Sequence, residues 1–287
     1  MSEIAQHIAV SKKVDYEDLD WKLARRHGLT ALEIENLCYF ADVESQTVYY
    51  FLEVAKLQVA KQPEFLTFLT MWNYEEYFHS HALTRLLEEC GATVPSAAER
   101  SHALRKGARL KARLEDGFQT LLATLAPQTF VALWMTWGAT QELLTTQAYE
   151  QIAMTTANPV AEELCRRIAK QERRHFAYYY NQARDRLDGH PITQRIVRKI
   201  VDLAWTPVGN GVKTPIEAAR SAERLFPGPR FAEVLGVIDR RIGALPGMTD
   251  LTACRAWAHR MGLAPPPARA GEIDAGDERA RVWAAAV

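Results

Sequence analysis

Two four-residue words constrain the fold of this chain more than any other feature: Glu76-Tyr77-Phe78-His79 and Glu172-Arg173-Arg174-His175. On a helix, residues three apart share a face, so each glutamate and its histidine can reach the same metal ion. Each word also follows a further glutamate at a similar distance, Glu44 lying 32 residues before Glu76 and Glu142 lying 30 before Glu172. Four carboxylates and two imidazoles spread over four helices are the usual ligand set of a di-iron or di-manganese carboxylate site. One Glu-x-x-His alone is common by chance and usually decorates a solvated face. The repeat, with its paired upstream glutamates, carries the reading.

The rest of the pattern is helical. Strand-like alternation is absent, and glycine and proline collect at a few boundaries. Thr30-Ala31-Leu32-Glu33 is a capping box that opens a helix expected to run to about Lys61, with Leu37, Phe40, Glu44, Val48 and Phe51 on one face. Pro63 starts a second helix that continues to Gly91. Ser96–Glu99 caps a basic third helix reaching Leu125, Pro127 opens a fourth through Thr156, and Asn158-Pro159 turns the chain into a fifth that ends near Gly189. Shorter C-terminal helices are expected from Thr214-Pro215-Ile216-Glu217, from Pro229 and from Asp250.

Glu142 stands 16 residues before Asn158 and Glu172 stands 14 after it, so both fall roughly 21–24 Å from the turn at about 1.5 Å per residue. Glu44 is 18 before Gln62 and Glu76 is 14 after, a slip of roughly 6 Å that tilt or offset can absorb. Two hairpins therefore present two half-sites that can face each other. Their surroundings are apolar, with Met71, Trp72 and Tyr74 before the first word and Leu133, Trp134 and Trp137 before Glu142. Buried carboxylates demand compensation, by metal or by internal pairing in a metal-free bundle. Carboxylate oxygens with two imidazoles suit iron or manganese better than zinc, and spacing does not separate the first two.

At 287 residues the chain can bury a substantial core, and its 35 basic and 35 acidic residues give no field that favours nucleic acid or a membrane surface. No opening signal segment and no bilayer-length apolar run is visible, and the four cysteines are scattered, so a reducing cytoplasm is expected. Cys38 and Cys165 precede ligand-bearing positions by six or seven residues and read as buried thiols.

The segments Asp42-Val43-Glu44, Glu75-Glu76-Tyr77-Phe78-His79, Gln141-Glu142-Leu143-Leu144-Thr145 and Glu172-Arg173-Arg174-His175 resemble the acyl-acyl carrier protein desaturase family. Weaker resemblance runs through Trp205-Thr206-Pro207 and the stretch from Leu251 to Gly262. The resemblance implies an all-α, ferritin-like four-helix bundle with additional helices and a di-metal carboxylate site in its core. From Ala264 the Pro/Ala/Gly-rich stretch reads as a flexible tail (264–287), after an N-terminal extension (1–29) and a helical di-iron domain (30–263). Carried over residue by residue, Glu44 and Glu142 become terminal carboxylates, Glu76 and Glu172 bridging ones, and His79 and His175 one ligand to each iron. Thr145 matches a threonine beside the oxygen-binding face; its plain alternative is a core threonine bonded to its own helix. One position departs: an aspartate that orients the histidine across the site is replaced by Gln171, which accepts a hydrogen bond but adds no charge.

The family implies two iron ions, O2 as co-substrate, a ferredoxin-type electron donor and a homodimer. An acyl carrier protein is the implied carrier of the substrate, with the basic stretch Arg100–Arg113 as its docking face, which would otherwise be a solvated helix face. Related readings are disfavoured at single positions. A radical-generating reductase subunit would want a tyrosine where Leu83 stands, and an arylamine N-oxygenase an extra histidine where Ile168 stands. The expectation is thus an O2-dependent oxidase or desaturase acting on an unactivated C–H bond. A hydroxylase or N-oxygenase is the nearest alternative, and a ferroxidase-type iron protein without organic substrate the more distant one.

Overall fold

The computed structural model describes residues 2–94, 109–209 and 213–267, and their regular structure is helical throughout. Four long helices form the core: α3 (Ala31–Ser45), α5 (Pro63–Glu89), α7 (Pro127–Thr155) and α8 (Pro159–Leu187). Around them lie α1 (Glu3–Val10), α2 (Trp21–His27), α4 (Thr47–Ala55), α6 (Arg109–Leu125), α9 (Pro191–Ala204), α10 (Pro215–Leu225), α11 (Arg230–Gly243) and α12 (Ala253–Arg260). This is the expected all-α bundle with additional helices. Pairing follows the two hairpins, α3 against α5 and α7 against α8, with α5 also touching α8.

Local chemistry sets the starts. Thr30 and Glu33 close the predicted capping box, Glu33 N donating to Thr30 Oγ1 at 3.2 Å and Thr30 N to Glu33 Oε2 at 2.7 Å. Proline occupies the first turn of α5, α7 and α8, where its missing N–H costs no helical bond. Asn158 caps α8, its Oδ1 accepting from Val160 N and Ala161 N, while its Nδ2 donates to Ala24 O and Gly28 O and so ties α2 to the hairpin turn.

The helix expected over 30–61 is interrupted. The α-ladder ends at Ser45 because Gln46 N bonds back to Val43 O and the Thr47 hydroxyl takes the Glu44 carbonyl. A second helix follows to Ala55, then a 3-10 turn over Gln58–Lys61. Leu37, Phe40 and Glu44 are buried as expected, but the change of direction leaves Val48 exposed. These interruptions take up the surplus residues on the Glu44 side of the hairpin.

The C-terminal set differs at one start. Asp250 does not open a helix; it sits at φ 59, and α12 begins at Ala253. Its first N–H groups are met from across the fold by buried Asp239, which accepts from Cys254 N at 3.0 Å and Arg255 N at 3.2 Å. Helices α1, α2 and α9 were not anticipated. Trp205, fully buried after α9, donates to Thr140 Oγ1, and Gln141 Nε2 donates to Thr206 O, which fastens this segment beside Glu142. Three consecutive tyrosines of α8 serve packing: Tyr178 stacks on Phe68 with centroids 4.0 Å apart, Tyr179 is buried, and Arg241 lies over the Tyr180 ring. None of the four cysteines is in a disulfide. No described helix is long and apolar enough to cross a membrane. The Ser96–Glu99 cap, the side chains of Arg100–Arg113 and tail residues 268–287 lie outside the described residues.

Candidate metal centre

All six charged or ionisable side chains singled out by spacing meet inside the bundle, none more than 5% exposed. They form two overlapping groups, Glu44, Glu76, His79 and Glu172 on one side and Glu76, Glu142, Glu172 and His175 on the other. Within each group the potential ligand atoms lie within 4.8 Å of one another, and each group could hold one metal ion. Glu76 and Glu172 belong to both.

The orientation of those two shared carboxylates is specific. Glu76 directs Oε2 to His79 Nδ1 at 3.3 Å and Oε1 to His175 Nδ1 at 3.0 Å. Glu172 directs Oε1 to His79 Nδ1 at 3.0 Å and Oε2 to His175 Nδ1 at 3.5 Å. Glu142 Oε2 lies 3.5 Å from His175 Nδ1. Yet Glu76 Oε1, Glu172 Oε1 and both histidine Nδ1 atoms make no well-formed hydrogen bond, although all are buried. Four buried ligand atoms without a well-formed hydrogen bond, all converging on one another, fit a pair of cations, because leaving them unsatisfied would otherwise cost stability.

The remaining atoms of the cluster are braced crosswise between the hairpins. Tyr149 of α7 donates to Glu44 Oε1 at 2.6 Å, and Trp72 of α5 donates to Glu142 Oε1 at 3.0 Å. His79 Nε2 meets Gln171 Oε1 of α8 at 2.7 Å, and His175 Nε2 meets Glu75 Oε2 of α5 at 2.6 Å. Glu44, Glu142 and both histidines are therefore each held by a residue of the opposite hairpin. The family resemblance points to Gln171 but not to Glu75, its counterpart immediately before the other motif glutamate. The position alone would have found it. Tyr149 and Trp72 carry no such sequence signal, since only packing brings them to the cluster.

Without metal the cluster balances its charge by redistributing protons. Burial, then the negative charge of Glu76, raises Glu44 well above the usual carboxylate range; burial and Glu172 do the same to Glu142. Burial opposes ionisation of Glu76 and Glu172 as well, but contacts with the histidines, and with Glu44 for Glu76, hold both below it. His79 is likewise disfavoured as a cation by burial, but the flanking Glu172 and Glu76 carboxylates raise it to about 10, and His175 is raised well above its ordinary value in the same way. These directions favour a proton on Glu44 and Glu142, charge on Glu76 and Glu172, and two imidazoliums, a distribution that sums to zero. Glu75, outside the cluster, overcomes burial through His175, Ser11 and Arg174 and is lowered to about 2.

Thr145 is buried one turn after Glu142, with its hydroxyl donating to Gln141 O at 3.0 Å. Asp42 lies outside the cluster and pairs with Lys213. A separate surface cavity of about 690 Å³, lined by Phe226, Phe231, Arg240, Arg255 and Leu263 among others, includes none of the six residues.

Residues 45–200 match the model of a protein family described as Fatty acid desaturase. Five of the six converging residues fall inside that stretch, and Glu44 stands one position before it. No curated protein matches the chain.

Proposed function

The chain belongs to the fatty acid desaturase family, and we propose that it is an O2-dependent, non-haem di-iron oxidase or desaturase acting on an unactivated C–H bond of an apolar substrate. The observation that carries this is the two-sided aim of Glu76 and Glu172, each with one oxygen toward each histidine. In this reading Glu76 and Glu172 would be shared by both metal ions, with Glu44 and His79 completing one set of ligands and Glu142 and His175 the other. Manganese fits the same donors. Two bound iron ions would supply the reduction of O2 and the oxidising power for hydrogen removal.

The protein's own groups do the rest. The buried walls around the cluster exclude water from the reacting centre. Tyr149 and Trp72 fix the terminal carboxylates, and Gln171 and Glu75 fix the imidazole rings. Thr145 donates its O–H to the Gln141 carbonyl, which leaves its oxygen lone pairs to accept a hydrogen bond from a proton donor beside the cluster. Reduction of O2 to two waters takes four electrons. Desaturation supplies two of them from adjacent carbons, and an external ferredoxin-type donor supplies the others. The narrower form of the proposal is an acyl chain carried on acyl carrier protein, processed by a cytoplasmic homodimer.

One observation favours a second reading. Gln171 places a neutral amide on His79, where the acyl carrier protein desaturases it resembles place a carboxylate. A neutral partner makes His79 a weaker hydrogen-bond donor and alters the route of electron entry, which supports a hydroxylase or N-oxygenase, inserting oxygen, as the alternative. Incubation of iron-loaded protein with reductant, O2 and acyl substrates separates the two: new double bonds without added oxygen are expected, and isotope label from O2 in the product would overturn desaturation. Iron or manganese content should approach two per chain and collapse in Glu76→Ala and Glu172→Ala. Content below about one per chain, unchanged by these substitutions, would overturn the centre itself.

A further inference from the structure

The bundle does not hold its histidine partners alone. The segment after α1 crosses the outside of α5 and α8 at the level of the cluster, and two consecutive residues reach both partners at once. Lys12 N and the Ser11 hydroxyl both donate to Glu75 Oε1, each at 2.8 Å. The Lys12 carbonyl accepts from Gln171 Nε2 at 2.9 Å. Residues 11 and 12 thus touch Glu75, which holds His175, and Gln171, which holds His79.

The chemistry of these contacts is directional. A glutamine amide can present either its oxygen or its nitrogen to a neighbour, and the two ends differ little in shape. A backbone carbonyl only accepts, so Lys12 O requires the Gln171 NH2 group and turns Gln171 Oε1 toward His79. When His79 gives up its second proton in favour of a metal ion, the proton it keeps is therefore the one on Nε2, and Nδ1, facing the cluster, becomes the lone-pair donor. Had the amide lain the other way, its NH2 would have driven the proton to Nδ1 and closed the ligand atom. On the other half-site, Glu75 is an acceptor whose Oε1 is occupied by Ser11 and Lys12, leaving Oε2 for His175 Nε2. Arg174 bonds both oxygens from the side at 3.2 Å.

We propose that Ser11 and Lys12 form a positioning buckle: their backbone and hydroxyl groups set the tautomer and ring orientation of both site histidines, so that metal retention depends on the N-terminal segment. This rests on the di-metal reading above. The segment is independently anchored for the task. Asn181 and Gln182 donate to Glu3 at 2.9 and 2.6 Å, and His7 packs against Phe68 and Tyr178 between α5 and α8. On the far side, Arg167 binds Asp15 O and Asp18.

The test uses the full chain loaded with zinc, a diamagnetic divalent probe. Lys12→Pro deletes the N–H that binds Glu75, and Ser11 already has the extended backbone a following proline requires. Lys12→Ala keeps both backbone groups. Zinc transfer to a chelator should be at least about tenfold faster in Lys12→Pro than in wild type. Lys12→Ala should match wild type. Imidazole nitrogen spectra should show both site histidines as Nε2–H in zinc-loaded wild type and a disturbed pattern in Lys12→Pro. If Lys12→Pro does not fold, Ser11→Ala takes its place, with a severalfold faster transfer expected. Zinc transfer at the wild-type rate in the folded variant overturns the buckle and leaves the metal reading standing, as does Lys12→Ala losing zinc as fast as Lys12→Pro. Failure of wild type to bind zinc at all overturns the metal reading, and the buckle with it.

Discussion

His79 shows how one residue reports on the whole cluster. In the fold its neighbours Glu172 and Glu76 keep it protonated to about pH 10, whereas an unfolded chain releases that proton near the ordinary value of 6.5. Its contribution to the stability of the metal-free protein is therefore complete below about pH 6.5 and is lost as pH rises toward 10. Glu44 and Glu142, also raised, change stability in the same direction as they ionise. The metal-free protein should melt at progressively lower temperature from pH 6.5 to 10, and His79→Gln should flatten that slope; a flat wild-type profile would contradict the charge distribution argued here. Four of the six cluster residues were legible because helix periodicity converts a spacing of three into a shared face, and Glu44 and Glu142 because each stands about as far from its hairpin turn as the motif glutamate beyond it. Glu75 was legible in principle, by symmetry with Gln171. Ser11 and Lys12 were not, since an irregular segment carries no period and its backbone contacts are independent of side-chain identity.

At the scale of elements, the bundle depends on how closely helices approach. Gly138 of α7 faces Tyr179 of α8 so tightly that an added Cβ would lie 2.3 Å from the ring. Tyr179 is buried among Phe68 and Trp72, leaving it no free side to move into. Gly138→Ala should therefore cost about 1–3 kcal/mol through overpacking, despite alanine's better helix propensity, and should appear as a lower melting temperature. The glycine in the α7 sequence gave no hint of this, because the constraint comes from the partner helix. The break at Gln46 escaped the sequence for a related reason: Thr47 caps the Glu44 carbonyl with its own hydroxyl, and neither glycine nor proline marks the place. By contrast, α5, α7 and α8 were readable nearly to their ends, since proline and asparagine punctuate them. Helix α1 has its own signature. Burial pulls its His7 down to about 4, with His175 adding to the effect, so His7 enters the fold uncharged. Its share of stability is present above about pH 6.5 and is lost as pH falls toward 4. Hydrogen exchange at α1 amides should accelerate across that window in the metal-free protein, and His7→Phe should suppress the change. Equal exchange in both proteins would show that α1 docks independently of this ring.

Taken over the whole molecule, the cluster trades protons for metal. Four carboxylates balance two divalent ions in charge, but the metal-free centre holds two of those carboxylates protonated and both imidazoles cationic. Binding two ions must then expel about four protons, because a ligand atom cannot keep a proton and bind metal. Manganese(II) suits the measurement, being stable to air on the timescale of titration and matched to the donors. Calorimetric titrations in buffers of differing ionisation heat should yield a release of about four protons per chain at neutral pH, falling in Glu44→Gln and in Glu142→Gln. The same linkage fixes the sign of the stability effect. Free metal at 100 times its dissociation constant adds about 2.7 kcal/mol to the folded state for a single site. Because rising pH removes the competing protons, the gap in melting temperature between loaded and metal-free protein should widen from pH 6 to 9. A gap that narrows over this range, or a titration that releases no protons, would mean that the six side chains pair with one another and do not serve as ligands.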